Sequence, residues 1–164
     1  MLWLPATLTI WGLCRSGQKG VTVIRARILL ADDHREMRDR VARLLEPEFE
    51  VVGAVEDGRA LLEAVSKMKP DLCVVDISMP IICGIEAATK LKDSGSAAKI
   101  VFLTVHEDPD FLRAALETGA LGYVVKSRMA SELSGAIRGA LAGRLFVSPC
   151  CTFGAQTGRD EDAS

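Results

Sequence analysis

The sequence predicts an α/β fold, a doubly wound parallel sheet, and three observations lead there. Short apolar, β-branched runs recur at 28–31, 51–55, 72–75, 100–103 and 121–125, each too brief for a helix. Between them lie amphipathic segments whose apolar residues repeat at helical spacing. Strand-helix-strand links of this kind cannot form hairpins, so the five strands pair in parallel and are buried by helices on both faces.

Taken in order, Ile28–Ala31 is the first strand and ends in Asp32-Asp33. Segment 34–46 places Met37, Val41, Leu44 and Leu45 on one helical face, and Pro47 closes it. Val51–Val55 is the second strand. Asp57-Gly58 reads as a turn, and Ala60, Leu61, Ala64, Val65 and Met68 form the next helix face before Pro70. Leu72–Val75 is the central strand and delivers Asp76 to its carboxyl end. Ile85–Leu91 is helical and Ser94-Gly95-Ser96 breaks it. Ile100–Leu103 is the fourth strand, ending at Thr104. Asp108 and Pro109 supply N-cap and first-turn residues for a helix carrying Phe111, Leu112, Ala115 and Leu116, which Gly119 stops. Leu121–Val125 leads to Lys126, and a last helix from Ser131 carries Leu133, Ile137, Ala140 and Leu141.

The strand ends carry the chemistry. Ligands of open parallel sheets bind beyond the carboxyl ends of the strands. Four of the five strands end there in Asp32-Asp33, Asp76, Thr104 and Lys126. Three carboxylates within about 4–6 Å repel one another by roughly 1–4 kcal/mol per pair, so such a cluster holds a proton or binds a cation. Oxygen donors in this number suit Mg²⁺, which keeps several waters and takes one or two carboxylates with phosphate oxygens. A lysine adds positive charge for a phosphoryl group and a threonine hydroxyl can bond to one of its oxygens. This is equipment for moving phosphate onto an aspartate.

Asp32-Asp33, the Asp-x-x-Met-Pro of Asp76 to Pro80, Gly84, Leu103-Thr104 and the Gly-Tyr-Val-Val-Lys of 122–126 together resemble the receiver domain of two-component response regulators. Thr104-Val-His-Glu-Asp-Pro and Lys126-Ser resemble its LuxR-type subfamily. The resemblance covers about residues 26–146. It implies a flavodoxin-like sheet of order 2-1-3-4-5 with five helices. It makes Asp76 the phosphoacceptor, with Asp33, Asp76 and the backbone carbonyl of Ser78 as direct Mg²⁺ ligands and Asp32 acting through water. Lys126 would pair with the phosphoryl group, Thr104 would report it, and Tyr123 would be the aromatic whose rotamer follows Thr104. The chain departs from the pattern at Cys83, where Asp is frequent, and at Val105, a larger side chain than the one that often admits the phosphodonor.

The expected function is a phosphorylation-dependent switch, not an enzyme, that takes its phosphoryl group from a sensor histidine kinase or phosphotransfer protein. Output would run through protein contacts, including a homodimer formed by the 108–118, 121–125 and 131–142 face. An N-terminal receiver fragment of a DNA-binding regulator and an aspartate-nucleophile phosphatase are the alternatives. The phosphatase pattern wants Asp-x-Asp on the first strand, where this chain has Asp-Asp. No Gly-x-Gly-x-x-Gly or Walker loop follows any strand, which sets a nucleotide-binding domain aside.

A net charge of −2 provides no basic footprint, and no direct nucleic-acid binding is expected. No apolar run reaches the roughly 20 residues of a membrane span, so no membrane association is expected. Residues 1–25 read as a flexible N-terminal extension in which the first basic residue, Arg15, follows the apolar stretch, against the order of a secretory signal. Residues 147–164 read as a disordered acidic tail. Cys14, Cys73, Cys83, Cys150 and Cys151 are an odd set without a C-x-x-C pair and fit reduced thiols of a cytoplasmic protein. His34 and His106 read as polar loop or helix-start residues, His106 being placed to tune phosphoryl lifetime beside Thr104.

Overall fold

The structure, a computed structural model, describes residues 23–151. The proposed extension up to residue 22 and the tail from 152 lie outside the described residues. Strands and helices alternate: β1 (Arg27–Ala31), α1 (Arg35–Leu45), β2 (Glu50–Val55), α2 (Gly58–Met68), β3 (Leu72–Val75), α3 (Gly84–Asp93), β4 (Lys99–Thr104), α4 (Pro109–Glu117), β5 (Gly122–Val125), α5 (Met129–Leu141) and β6 (Phe146–Val147). All pairings are parallel, in the order β2-β1-β3-β4-β5-β6.

The first five strands follow the expected order, and the sheet then departs from expectation by a sixth. Phe146 and Val147 pair with Gly122 and Tyr123, covering the edge of β5. A two-residue strand has too little sequence to show a period, which is why it escapes a pattern reading. A single 3-10 turn, Pro149–Cys151, follows it, and Ser148 and Cys151 are buried. The folded unit therefore runs through Cys151, past the boundary at 146, and residues 147–151 are not tail.

Alternation along the strands divides the core into two layers. Leu29, Cys73, Val75, Phe102 and Tyr123 face α2, α3 and α4, and Ile28, Leu30, Val74, Leu103 and Val124 face α1 and α5. Each fully buried aliphatic or aromatic side chain contributes roughly 1.5–3 kcal/mol. The sheet's rigidity rests on that sum rather than on helix propensity.

Local signals explain the helix starts. Asp57, read from sequence as part of a turn, is the N-cap of α2 and accepts the Ala60 N–H at 2.8 Å. Gly58 is required by packing rather than by backbone freedom: a Cβ there would lie 2.3 Å from the Ile82 carbonyl oxygen. Asp108 caps α4 through the Asp110 N–H, with Pro109 in the first turn as expected. Gly119, at φ +86°, ends that helix in the left-handed region.

Candidate functional site

Three strands deliver the acids and the lysine to one edge. The Asp76 N–H donates to the Ala31 carbonyl at 2.8 Å and the Asp32 N–H to the Val55 carbonyl at 3.1 Å, so both residues continue the ladders of β1 to β3 before the chain turns away. Gly84 lets the β3–α3 loop fold back beneath Asp76, because a Cβ at that position would meet the Asp76 carbonyl oxygen at 2.1 Å. Its N–H donates to the Ile77 carbonyl at 2.9 Å.

Lys126 reaches across from the end of β5. Its Nζ lies 2.6 Å from Asp32 Oδ2 and 3.1 Å from Asp76 Oδ2, with all three side chains largely buried. Burial pushes the Asp76 carboxyl above its ordinary value; Lys126 opposes this, and the neighbouring Asp32 adds to it. For Lys126 burial acts to lower the ammonium, and its contacts with Asp32 and Asp76 outweigh that and hold it raised. One ammonium thus pairs with Asp32 and Asp76, and with Asp33 in the same cluster the carboxylates are in surplus.

Oxygen atoms of these three aspartates and a ring nitrogen of His34 all lie within 4.8 Å of one another. A hard divalent cation fits such a carboxylate set. His34 Nδ1 is 2.8 Å from Asp33 Oδ1 and 3.2 Å from Asp32 Oδ1, and the His34 backbone N–H donates to Asp32 Oδ1 at 2.8 Å. Arg38 holds the Asp32 carbonyl at 2.6 Å. Neither residue figures among the sequence candidates: Arg38 sits one helical turn past the acids, and only folding shows that it turns back to them.

Thr104 is fully buried at the end of β4, and its Oγ1 accepts the His106 N–H at 3.1 Å. Ser78, expected to matter through its carbonyl, also has its hydroxyl 2.7 Å from His106 Nε2. The His106 ring stacks on Phe111 of α4 at 4.1 Å. Tyr123 stands apart from the acids. It is wholly buried, and its hydroxyl donates to the His106 carbonyl at 2.9 Å. The ring whose rotamer is expected to follow Thr104 is thus already inward in this structure, anchored by that hydrogen bond and by core packing. Val105 is 64% exposed at the rim and does not fill the site. Cys83 is exposed at the N-cap of α3 without a side-chain capping bond.

The family model of the response regulator receiver domain matches residues 28–138. The chain belongs to that family. It is 37% identical over 130 residues to the transcriptional regulatory protein DegU of Brevibacillus brevis, covering 78% of this chain and 55% of that relative. A two-component response regulator of the LuxR family from Aurantimonas sp. SI85-9A1 superposes with a TM-score of 0.74 at 38% identity, covering 78% of this chain and 93% of that one. The isolated REC domain of RcsB from Salmonella enterica serovar Typhimurium, solved with the phosphomimetic BeF3−, superposes at 0.72 with 26% identity, covering 78% of this chain and 96% of that one. The chain spans little more than half the length of several curated regulators that it matches.

Proposed function

We propose that Asp76 accepts a phosphoryl group from a histidine kinase or phosphotransfer protein and that the event is read out on the α4, β5 and α5 side of the domain. The observation that supports this best is the charge surplus at Asp32, Asp33 and Asp76, bridged by Lys126 within 3.1 Å of the proposed nucleophile. The chain is read as a switch that stores one phosphoryl group, not as a turnover catalyst.

Asp33 and Asp76, with the Ser78 carbonyl, would hold Mg²⁺, and Asp32 would support it through water. When bound, the ion supplies positive charge against the phosphoryl oxygens. The rest falls to side chains of this chain. Asp76 offers a carboxylate oxygen at the open strand end. Lys126 keeps its proton and can exchange a carboxylate oxygen for a phosphoryl oxygen without crossing the site. Val105, exposed beside this opening, sets how freely a donor approaches.

Phosphorylation adds roughly two negative charges and three acceptor oxygens. A Thr104 hydroxyl drawn toward them would give up the His106 N–H. The loop that carries the carbonyl anchoring Tyr123 is then released, which biases an existing two-state equilibrium rather than creating a new state. The proposed homodimer surface over 108–118, 121–125 and 131–142 is amended by β6, which lies outside β5, so Phe146 and Val147 form the sheet edge that a second copy would meet. Direct nucleic-acid contact is not proposed for this segment.

Hydrogen exchange with Mg²⁺ and beryllofluoride tests the reading. Protection should change over residues 104–142, and Thr104→Ala should uncouple that change from binding at Asp76. A change confined to the surroundings of Asp33 and Asp76 would favour a passive phosphate sink.

A further inference from the structure

Two thiols take no part in the site above. Cys150 is exposed and Cys151 is only 3% exposed, and their Sγ atoms are 3.9 Å apart. The turn that carries them is fastened behind Tyr123. The Ser148 N–H donates to the Tyr123 carbonyl at 2.8 Å, the Val125 N–H to Ser148 Oγ at 3.1 Å, and the Cys151 N–H to the Ser148 carbonyl at 2.9 Å. Ser148 Oγ in turn donates to Glu132 of α5. Cys151 and Tyr123 share one buried cluster. Tyr123 is thus held at its hydroxyl by the His106 carbonyl and at its backbone by the cysteine-bearing turn.

We propose that Cys150 and Cys151 form a vicinal dithiol that a hydroperoxide closes to a disulfide, and that ring closure releases the turn from β5 and thereby frees Tyr123. The consequence for signalling rests on the reading of Tyr123 as part of the switch, but the dithiol chemistry does not.

In the first step Cys150, the exposed sulfur, attacks the hydroperoxide as thiolate. An S–O bond forms, the O–O bond breaks and an alcohol (water, for hydrogen peroxide) leaves, so the sulfur is oxidised to a sulfenic acid. In the second, the Cys151 sulfur attacks the Cys150 sulfur. The S–S bond forms, the S–O bond breaks, and hydroxide leaves as water with the Cys151 proton. Two thiols and one hydroperoxide give one disulfide, one alcohol and one water.

Geometry couples this reaction to the fold. Bond formation brings the sulfurs from 3.9 Å to about 2.05 Å, and one of them starts in the core while the other starts at the surface. Burial also pushes the Cys151 thiol up to about 12, which keeps it protonated and a poor nucleophile while the turn is docked. Ring closure therefore favours the undocked turn, and by linkage an undocked turn favours ring closure. Adjacent Cα atoms are about 3.8 Å apart, shorter than the usual span of a disulfide of about 4.4–6.8 Å, so the ring is strained and belongs with the readily reduced, regulatory class.

Tyr123 is the chain's single tyrosine, so ¹³C-tyrosine labelling gives a one-residue probe. The test uses the full chain carrying Cys14→Ser and Cys83→Ser, treated with hydrogen peroxide. The intact mass should fall by two hydrogen atoms, the Tyr123 ring resonance should move, and dithiothreitol should reverse both. Adding the surface substitution Cys150→Ser should abolish both changes without disturbing the core. Oxygen addition at Cys150 with no hydrogen loss overturns ring closure, and a disulfide that leaves the Tyr123 resonance in place overturns the coupling. Mg²⁺ with beryllofluoride, read on the same resonance, tests the Asp76 switch separately: silence there beside an intact peroxide response counts against that switch alone.

Discussion

The two ends of the sheet both carry aspartate and basic residues, and they treat charge in opposite ways. At the amino-terminal edge Asp71 accepts the Arg27 N–H at 2.8 Å, and the Arg27 guanidinium caps the end of α2 through the Met68 carbonyl at 2.7 Å and the Lys69 carbonyl at 3.2 Å. Asp71 is exposed and Arg27 half-buried, and both are satisfied by backbone. At the carboxyl-terminal edge Asp32 and Asp76 are buried and share the single ammonium of Lys126, and among the described residues no other lysine or arginine side chain bonds to their carboxylates. The first arrangement stabilises a fold. The second stores unfavourable charge that a bound cation would relieve, and that contrast separates the aspartates that stabilise the fold from those proposed for the site.

Substitutions at each end can break or sharpen the contrast. The largest effect is expected for Gly84→Ala, whose Cβ would sit 2.1 Å from the Asp76 backbone oxygen. Forcing that loop apart should cost on the order of 3 kcal/mol in denaturant unfolding, the upper end for overpacking. Lys126→Met should follow closely, also on the order of 3 kcal/mol, because it leaves buried Asp32 and Asp76 facing each other without the ammonium between them. Added Mg²⁺ should recover part of that loss, and no recovery would count against a cation site at these aspartates.

Asp71→Ala, at the balanced end, removes one exposed hydrogen bond and should cost about 1 kcal/mol with no response to Mg²⁺. Asp76→Asn should act in the opposite direction, raising the melting temperature by a few degrees at neutral pH. The sign follows from the raised Asp76 carboxyl: its contribution to stability is full below the ordinary carboxylate pKa of about 4 and is lost as the pH rises through the folded-state value. The advantage of the asparagine should therefore fade in acid, and a constant difference across pH would remove burial as the cause. The smallest effect belongs to Glu48→Gln. It loosens an exposed ion pair with Arg138 and should stay within about 1 kcal/mol.

Much of this was legible in the sequence. Apolar runs such as 28–31 and 72–75 were unambiguous because a strand buried on both faces carries no polar interruption. Asp32, Asp33, Asp76, Thr104 and Lys126 stood out as polar residues at the ends of such runs, and the structure brings Asp32, Asp33, Asp76 and Lys126 together. What remained hidden depends on contacts between distant segments. Asp57-Gly58 looks locally like a turn, and only the Ile82 carbonyl explains the glycine. Phe146 and Val147 are too few to display a period, and Ser148 becomes buried only because β5 offers it partners. His106 is an ordinary loop histidine by sequence. Its links to Ser78 and Tyr123 exist only after β3, β4 and β5 are side by side.

The most direct measurement is phosphoryl uptake from acetyl phosphate in Mg²⁺, followed by intact mass and by borohydride reduction to locate the acyl phosphate. The wild-type chain should gain one phosphoryl group, reduction should convert residue 76 alone, and Asp76→Asn should take up none while remaining folded. Labelling of Asp76→Asn at the wild-type rate, or reduction located at Asp32, Asp33 or Asp71, would contradict the assignment of the charge surplus to phosphoryl transfer on Asp76.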